Sequence, residues 1–200
     1  MRLYYVPKTR ATRPRWVLEE LGVPYELVRL DATKGETHTP EHVSRQPLGH
    51  VPALEDGDVR MFESAAICLW LAERHPEKGL IPAPGTPERA AVYQWAFYAM
   101  TELDAPLSAL SAEKRRAPGD ADPRRIDEAK ARFHRAAAAL EPHLAGRSFL
   151  VGDAFSVADV VVAACLVWGR TAGALEGLPA CAAYLDALRK RPAWRRATAD

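Results

Sequence analysis

Two short stretches carry most of the chemistry legible in this chain. In Gly49-His50-Val51-Pro52-Ala53-Leu54 a proline stands where a strand begins, and in Phe62-Glu63-Ser64-Ala65-Ala66-Ile67 an acidic residue and a serine stand where a helix begins. An X-Pro bond at a strand entrance can be cis, which turns the main-chain N–H and C=O of Val51 outward, toward an extended peptide-like ligand. At the helix start the first N–H groups lack partners and the helix dipole favours an anion. Ser64, read as the cap, can there receive a carboxylate while Glu63 takes an ammonium. A proline turn or a helix cap alone is commonplace. Joined by a hairpin through Asp56-Gly57, the two predict one site for a main-chain segment and an amino-acid head group, a combination that a γ-glutamyl tripeptide carries.

The elements that must position these residues follow from hydrophobic period and punctuation. Residues 3–6 read as a strand, 14–21 as a helix closed by Gly22, and 25–30 as a second strand, hence a parallel pair with a right-handed crossover. A short helix is expected over 40–45, two antiparallel strands over 52–62 and a helix over 64–74. Four strands with helices on both faces match a thioredoxin architecture. Proline density over 76–87 forbids regular structure and marks a linker. Beyond it the pattern is helical. Pro87 opens a helix through Trp95 and Met100 that Pro106 should bend or split, 117–123 makes a break, and a long Ala-rich helix runs to about Ala145. Ser156-Val157-Ala158-Asp159 is a capping box stapled by Phe155 and Val160. The nearly all-apolar helix after it is expected at the centre of the helical domain.

Composition is that of an ordinary soluble chain: 200 residues, 48% hydrophobic, 26% charged, formal net charge +1. Nothing in that balance calls for a nucleic-acid or membrane partner. Met1-Arg2 leads straight into a strand, so export is not expected. Cys68, Cys165 and Cys181 lie scattered without a C-x-x-C spacing, as suits buried thiols in a reducing cytoplasm. No zinc or calcium pattern appears, and His134 and His143 share no i, i+4 face, so no metal is expected.

The opening Leu3-Tyr4-Tyr5-Val6-Pro7, Trp16-Val17-Leu18-Glu19-Glu20-Leu21-Gly22, the Val51-Pro52 and Glu63-Ser64 pairs, and Gly152-Asp153-Ala154-Phe155-Ser156-Val157-Ala158-Asp159 together resemble the cytosolic glutathione transferase family over essentially the whole chain. The resemblance implies an α/β N-terminal thioredoxin-like domain over 1–75, a linker over 76–86 and an all-α C-terminal helical domain over 87–200. It implies a transferase of bacterial, serine/threonine type, delta- or theta-like or beta-like, serving detoxification in the cytoplasm. Glutathione would be the co-substrate, a small apolar electrophile the second substrate and a two-fold homodimer the assembly. The alternative is a glutathione-transferase-like module without catalysis, similar to stringent starvation protein or the elongation-factor gamma subunit, in which the fold serves protein contacts.

Within the family a Tyr, Ser or Cys just after the first strand donates to the glutathione sulfur. Here the loop Lys8-Thr9-Arg10-Ala11-Thr12-Arg13 has no cysteine, which argues against mixed-disulfide chemistry. Thr9 falls where serine-type members carry their serine, and Tyr5 is the nearest tyrosine. These two are the catalytic candidates, Thr9 first. Arg10, His38, His50, Val51, Pro52, Glu63 and Ser64 are the glutathione-binding candidates, the histidines toward the glycine carboxylate. Tyr98, Glu102 and Trp168 are candidates for the second-substrate wall, between the domains. Lys8, Arg10, Arg13 and Arg15 could raise the local potential. A solvated face is the competing reading for Arg13 and Arg15, with pairing to Glu19 at helical spacing.

Overall fold

Strand β1 (Arg2–Tyr5) alternates its side chains between two faces, Leu3 and Tyr5 on one and Tyr4 on the other. It pairs parallel with β2 (Glu26–Arg29) and antiparallel with β3 (Ala53–Asp56), and β3 pairs antiparallel with β4 (Val59–Phe62), giving the sheet order β2-β1-β3-β4. This computed structural model describes residues 1–117 and 119–200. Pro118, part of the break expected over 117–123, lies outside the described residues.

Helix α1 (Thr12–Leu21) makes the crossover between β1 and β2. It ends at Gly22, whose φ of 65° lets its N–H turn back to the Leu18 carbonyl. α1 packs on α3 (Ser64–Arg74), with Trp16, Val17, Leu18, Ile67, Cys68 and Leu71 fully buried between strand and helix. The Arg15 guanidinium lies over the Tyr5 ring, which puts α1 on the Tyr5 face of the sheet. The opposite face carries the short α2 (Pro40–Val43), whose His42 meets Tyr4, and Arg45, whose guanidinium covers the same ring.

Two compact units emerge, Pro82–Arg189 by itself and Met1–Ile81 together with Lys190–Asp200. The second of these departs from the boundaries expected from the sequence. The last eleven residues, read as part of a helical domain, join the thioredoxin-like unit through α9 (Pro192–Ala197). Trp194 packs edge-on against Trp16 at 4.8 Å between ring centroids, and Arg191 grips Glu20 through two bonds of 2.6 and 2.8 Å. Arg196 takes Glu19 at 2.6 Å, while Asp200 accepts from both Tyr5 and Arg15. Arg15 and Glu19 are therefore each held by the returning segment rather than by one another. Helical period reports local amphipathicity, and it cannot say which unit will cover an apolar face.

In the helical unit, α4 (Pro87–Tyr98) and α5 (Ala105–Lys114) are joined by a π-helical turn over Ala99–Asp104. Pro106 supplies no N–H to Glu102 and its ring crowds that carbonyl, so the helix widens just before it, where a bend or split was expected. α6 (Pro123–Leu144) follows. α7 (Val157–Thr171) is buried almost all round and opens with the expected capping box. Asp159 in that box accepts from the Leu150 and Ser156 N–H groups and from the Tyr184 hydroxyl. Burial nevertheless pushes its carboxyl above the ordinary value. α8 (Pro179–Leu188) completes the unit, its first turn held by Glu141, which accepts from the N–H groups of Ala180 and Cys181. No helix among the described residues is long and apolar enough to cross a membrane.

The clasp of residues 190–200 has a pH signature. Burial alone would raise the Asp200 carboxyl, but the hydrogen bonds from Tyr5 and Arg15, with the Arg15 charge, outweigh it and hold the group below the usual carboxylate range. A carboxyl lowered in the folded state adds stability that is complete above its unfolded value of about 4 and drains away as pH falls through the folded one. Thermal melts from pH 6 to pH 3 should therefore fall more steeply below about pH 4 in the native protein than in Asp200→Asn. Parallel curves would show that the contact contributes nothing.

Candidate functional site

The loop that leads to β3 is organised by two buried polar side chains. Thr39 caps α2 by accepting from the His42 N–H, and His42 is then 1% exposed beneath the loop, its Nε2 donating to the His50 carbonyl at 2.8 Å. Gln46, also buried, offers its side-chain oxygen to the N–H groups of Leu48 and His50, each at 2.8 Å. Gly49 sits at φ 65° with His38 pressed against its Cα, so close that any Cβ there would collide with the imidazole and lie 2.9 Å from the Thr37 carbonyl. His38, on the turn of Glu36–His38, is thereby brought against the segment that carries His50 and Val51. The Val51–Pro52 bond is cis, and the main chain of Val51 makes no hydrogen bond among the described residues.

One strand pair away, α3 starts differently from the expectation that Ser64 caps it. Glu63 is the capping residue and makes no side-chain cap bond, while Ser64 is the first helical residue, and no acidic side chain occupies the first turn. The Ser64 hydroxyl instead accepts from Arg13 of α1 at 2.9 Å. Arg13 is 1% exposed, which excludes the solvated face that was the competing reading for it. Arginine has only donors, so the hydroxyl oxygen is the acceptor here and its own hydrogen is aimed elsewhere. Glu63 stays exposed with φ 70° and ψ 105°, a conformation that costs a non-glycine residue on the order of 1–3 kcal/mol.

The donor loop between β1 and α1 has Lys8 exposed at φ 58° and Arg10 half-buried. The Thr9 hydroxyl donates to the Val6 carbonyl at 2.6 Å and accepts from the Ala11 N–H at 3.3 Å. The Tyr5 hydroxyl donates to Asp200, and burial followed by that carboxylate raises its pKa, so the phenol keeps its proton for this bond. Tyr5 lies on the face taken by the 190–200 clasp, an engagement that its position next to the loop does not reveal.

In the helical unit, Tyr98 donates to the Ala136 carbonyl at 2.9 Å and packs edge-on against Trp95. Burial pushes its phenol up, and the Glu102 carboxylate adds to the shift. Glu102 is exposed on the π turn, and Trp168 is half-buried on α7. Among the described residues no group of three or more His, Cys, Asp or Glu side chains could hold a metal ion. Sequence reasoning does not single out His42 or Gln46. Both stand in a polar run with no local pattern, and Gln46 before Pro47 is the only hint of a turn residue.

A model of the glutathione S-transferase N-terminal domain matches residues 1–73, and one of the C-terminal domain matches residues 123–187. Glutathione S-transferase 1 of Zea mays is 32% identical over 206 residues, covering 100% of this chain and 96% of its own. The chain belongs to the glutathione S-transferase family. Glutathione S-transferase F11 of Arabidopsis thaliana is 31% identical, covering 94% of this chain and 92% of its own. The structure of a sphingomonad glutathione S-transferase complexed with glutathione superposes with a TM-score of 0.87 at 30% identity, covering 100% and 98% of the two chains. A glutathione transferase from Methylococcus capsulatus superposes at 0.88 with 30% identity, covering 99% and 97%.

For this family member the geometry at Glu63 bears on stability. Glu63→Gly relieves the positive φ and should stabilise the fold by about 1 kcal/mol, measured by urea unfolding. A destabilised variant would show that the backbone at Glu63 stores no strain.

Proposed function

We propose that this protein is an active glutathione transferase that binds glutathione along the 38–52 loop and the start of α3, activates its thiol, and joins it to a small apolar electrophile. The observation that carries the reading is the uncapped first turn of α3 with Glu63 and Ser64, set across a hairpin from the unengaged main chain of Val51. In this reading the cysteinyl segment of glutathione lies along Val51 and Pro52. The γ-glutamyl carboxylate meets the α3 start with the Ser64 hydroxyl, and Glu63 takes the ammonium. Arg10, His38 and His50 serve the peptide's remaining anionic end. The alternative of a module without catalysis is not favoured, because the relatives matched along the chain are themselves named transferases.

The chemistry needs a thiolate. A free thiol near pKa 8.5 is mostly protonated at neutral pH, and a hydroxyl donated to sulfur favours the ionised form. Thr9 is our choice for that donor, its hydroxyl hydrogen turning from the Val6 carbonyl to the sulfur, with Tyr5 kept as an anchor for Asp200. The thiolate attacks the electrophilic carbon, an S–C bond forms, the leaving group departs with its electron pair, and the thiol proton passes to solvent. Tyr98, Glu102 and Trp168 are proposed to contact the electrophile. Cytoplasmic location and a role in detoxification complete the reading. So does a two-fold homodimer, for which Leu48 and Phe97, 66% and 65% exposed on their respective units, offer apolar surface.

Retention on immobilised glutathione and turnover of an aryl halide test the function together. Absorbance of the bound thiolate against pH tests the donor. Thr9→Ala should raise the apparent thiol pKa by about one unit or more and lower kcat/KM at least ~10-fold at neutral pH, whereas Tyr5→Phe should leave the thiol titration in place. Failure of the native protein to bind glutathione would sink the function, and an unmoved titration in Thr9→Ala would sink the donor.

A further inference from the structure

His42 lies buried below the 46–52 loop, yet the one hydrogen bond of its ring controls a group that a ligand would meet. The peptide linking His50 to Val51 is trans, since the one cis bond among the described residues is the next one, Val51–Pro52. In a planar trans peptide the C=O and the N–H point in opposite directions. The His50 carbonyl is drawn down to His42 Nε2 at 2.8 Å, so the Val51 N–H, in the same plane, must point up and away from the core. From these relations we propose that His42 is a positioning residue of the glutathione site, one that sets the direction of the Val51 N–H by holding the other end of its peptide plane. The inference rests on the reading that glutathione lies along Val51.

Three further observations fit the role. His42 is 1% exposed and stacks at a tilt against Tyr4, so its ring has no freedom to follow a turning peptide. Its Nδ1 is buried with no hydrogen-bond partner among the described residues, which leaves the bond to His50 as the only polar one its ring makes. Because the partner is a carbonyl, which only accepts, Nε2 carries the hydrogen. Gln46 completes the clamp by accepting the His50 N–H at 2.8 Å, so the peptides on both sides of His50 are gripped by buried side chains. Without His42 the His50–Val51 plane keeps only its neighbours to orient it, and the Val51 N–H would sample directions that miss an incoming ligand.

The test compares three substitutions that differ in where a donor stands. His42→Gln places an amide N–H near the position of imidazole Nε2, whereas His42→Asn places it at the Nδ1 position, short of the carbonyl, and His42→Met has none. His42→Met and His42→Asn should raise KM and Kd for glutathione about 10-fold while kcat at saturating glutathione and KM for the electrophile stay within ~2-fold. His42→Gln should return glutathione KM to within ~3-fold of native. Amide hydrogen exchange and the crystal structure of His42→Asn read the Val51 N–H without any ligand, with an altered His50–Val51 plane expected. Equal glutathione affinity across all variants of a glutathione-binding protein, or an unmoved peptide plane in His42→Asn, would overturn the positioning role. A turned plane in a protein that binds no glutathione in its native form would sustain that role and remove the functional reading instead.

Discussion

Strand geometry gives neighbouring residues opposite faces, and in β1 that rule separates Tyr4 from Tyr5 and with them two halves of the thioredoxin-like unit. β1 is paired on both edges, so neither tyrosine can change sides without breaking the sheet. On the Tyr4 face the hydroxyl donates to Glu55 at 2.6 Å and the ring carries Arg45 and His42, so the loop that bears His50 and Val51 is packed on it. On the Tyr5 face α1, Arg15 and the returning Asp200 close over the other ring. The candidate site draws on both. Its main-chain half comes from the Tyr4 side. Its donor loop follows β1, and its helix start leans on Arg13 of α1.

The means by which the site presents itself are mostly main-chain ones. Val51 offers a peptide group, α3 offers unpartnered N–H groups, and Glu63 stands exposed at positive φ just before them. The side chains that achieve this are buried: Arg13 behind Ser64, Gln46 and His42 beneath His50. A buried guanidinium is costly unless hydrogen-bonded, and Arg13 directs part of its donor capacity to the Ser64 hydroxyl. Rigid supports of this kind hold direction better than exposed loop side chains, because packing removes their rotameric freedom.

Local signals made much of this legible. The Asp56-Gly57 turn, β3, β4 and the bounds of α3 follow from period and punctuation over a few residues, and the capping box at Ser156 formed as its spacing predicts. Features that depend on distant partners were not legible. Arg13 reads as one more cation in a basic loop until Ser64, 51 residues on, is seen to accept from it. The 190–200 segment reads as a helix like those before it, although Trp194 has its partner in Trp16. Ser64 matches a cap by residue type, and only the competing bond from α1 shows why it does not act as one. His42 carries no signal at all, since its role is defined by the peptide above it.

The loop between β1 and α1 is where residue type and geometry pull apart, and relative bond strengths bear on the proposed donor. Thr9 spends its single hydrogen on the Val6 carbonyl, a neutral acceptor within its own loop. Hydrogen bonds to an ionised partner are roughly twice as strong as neutral ones, so a thiolate brought within reach outcompetes that carbonyl for the same hydrogen. The Val6 carbonyl, on a half-buried residue, can then turn to water at modest cost. Tyr5 faces the opposite balance. Its acceptor is already a carboxylate, Asp200, held below the ordinary pKa range and anchored by Arg15, so a thiolate offers it no gain in charge and would cost Asp200 its phenol partner. The same physics that leaves Thr9 convertible therefore fixes Tyr5 in place.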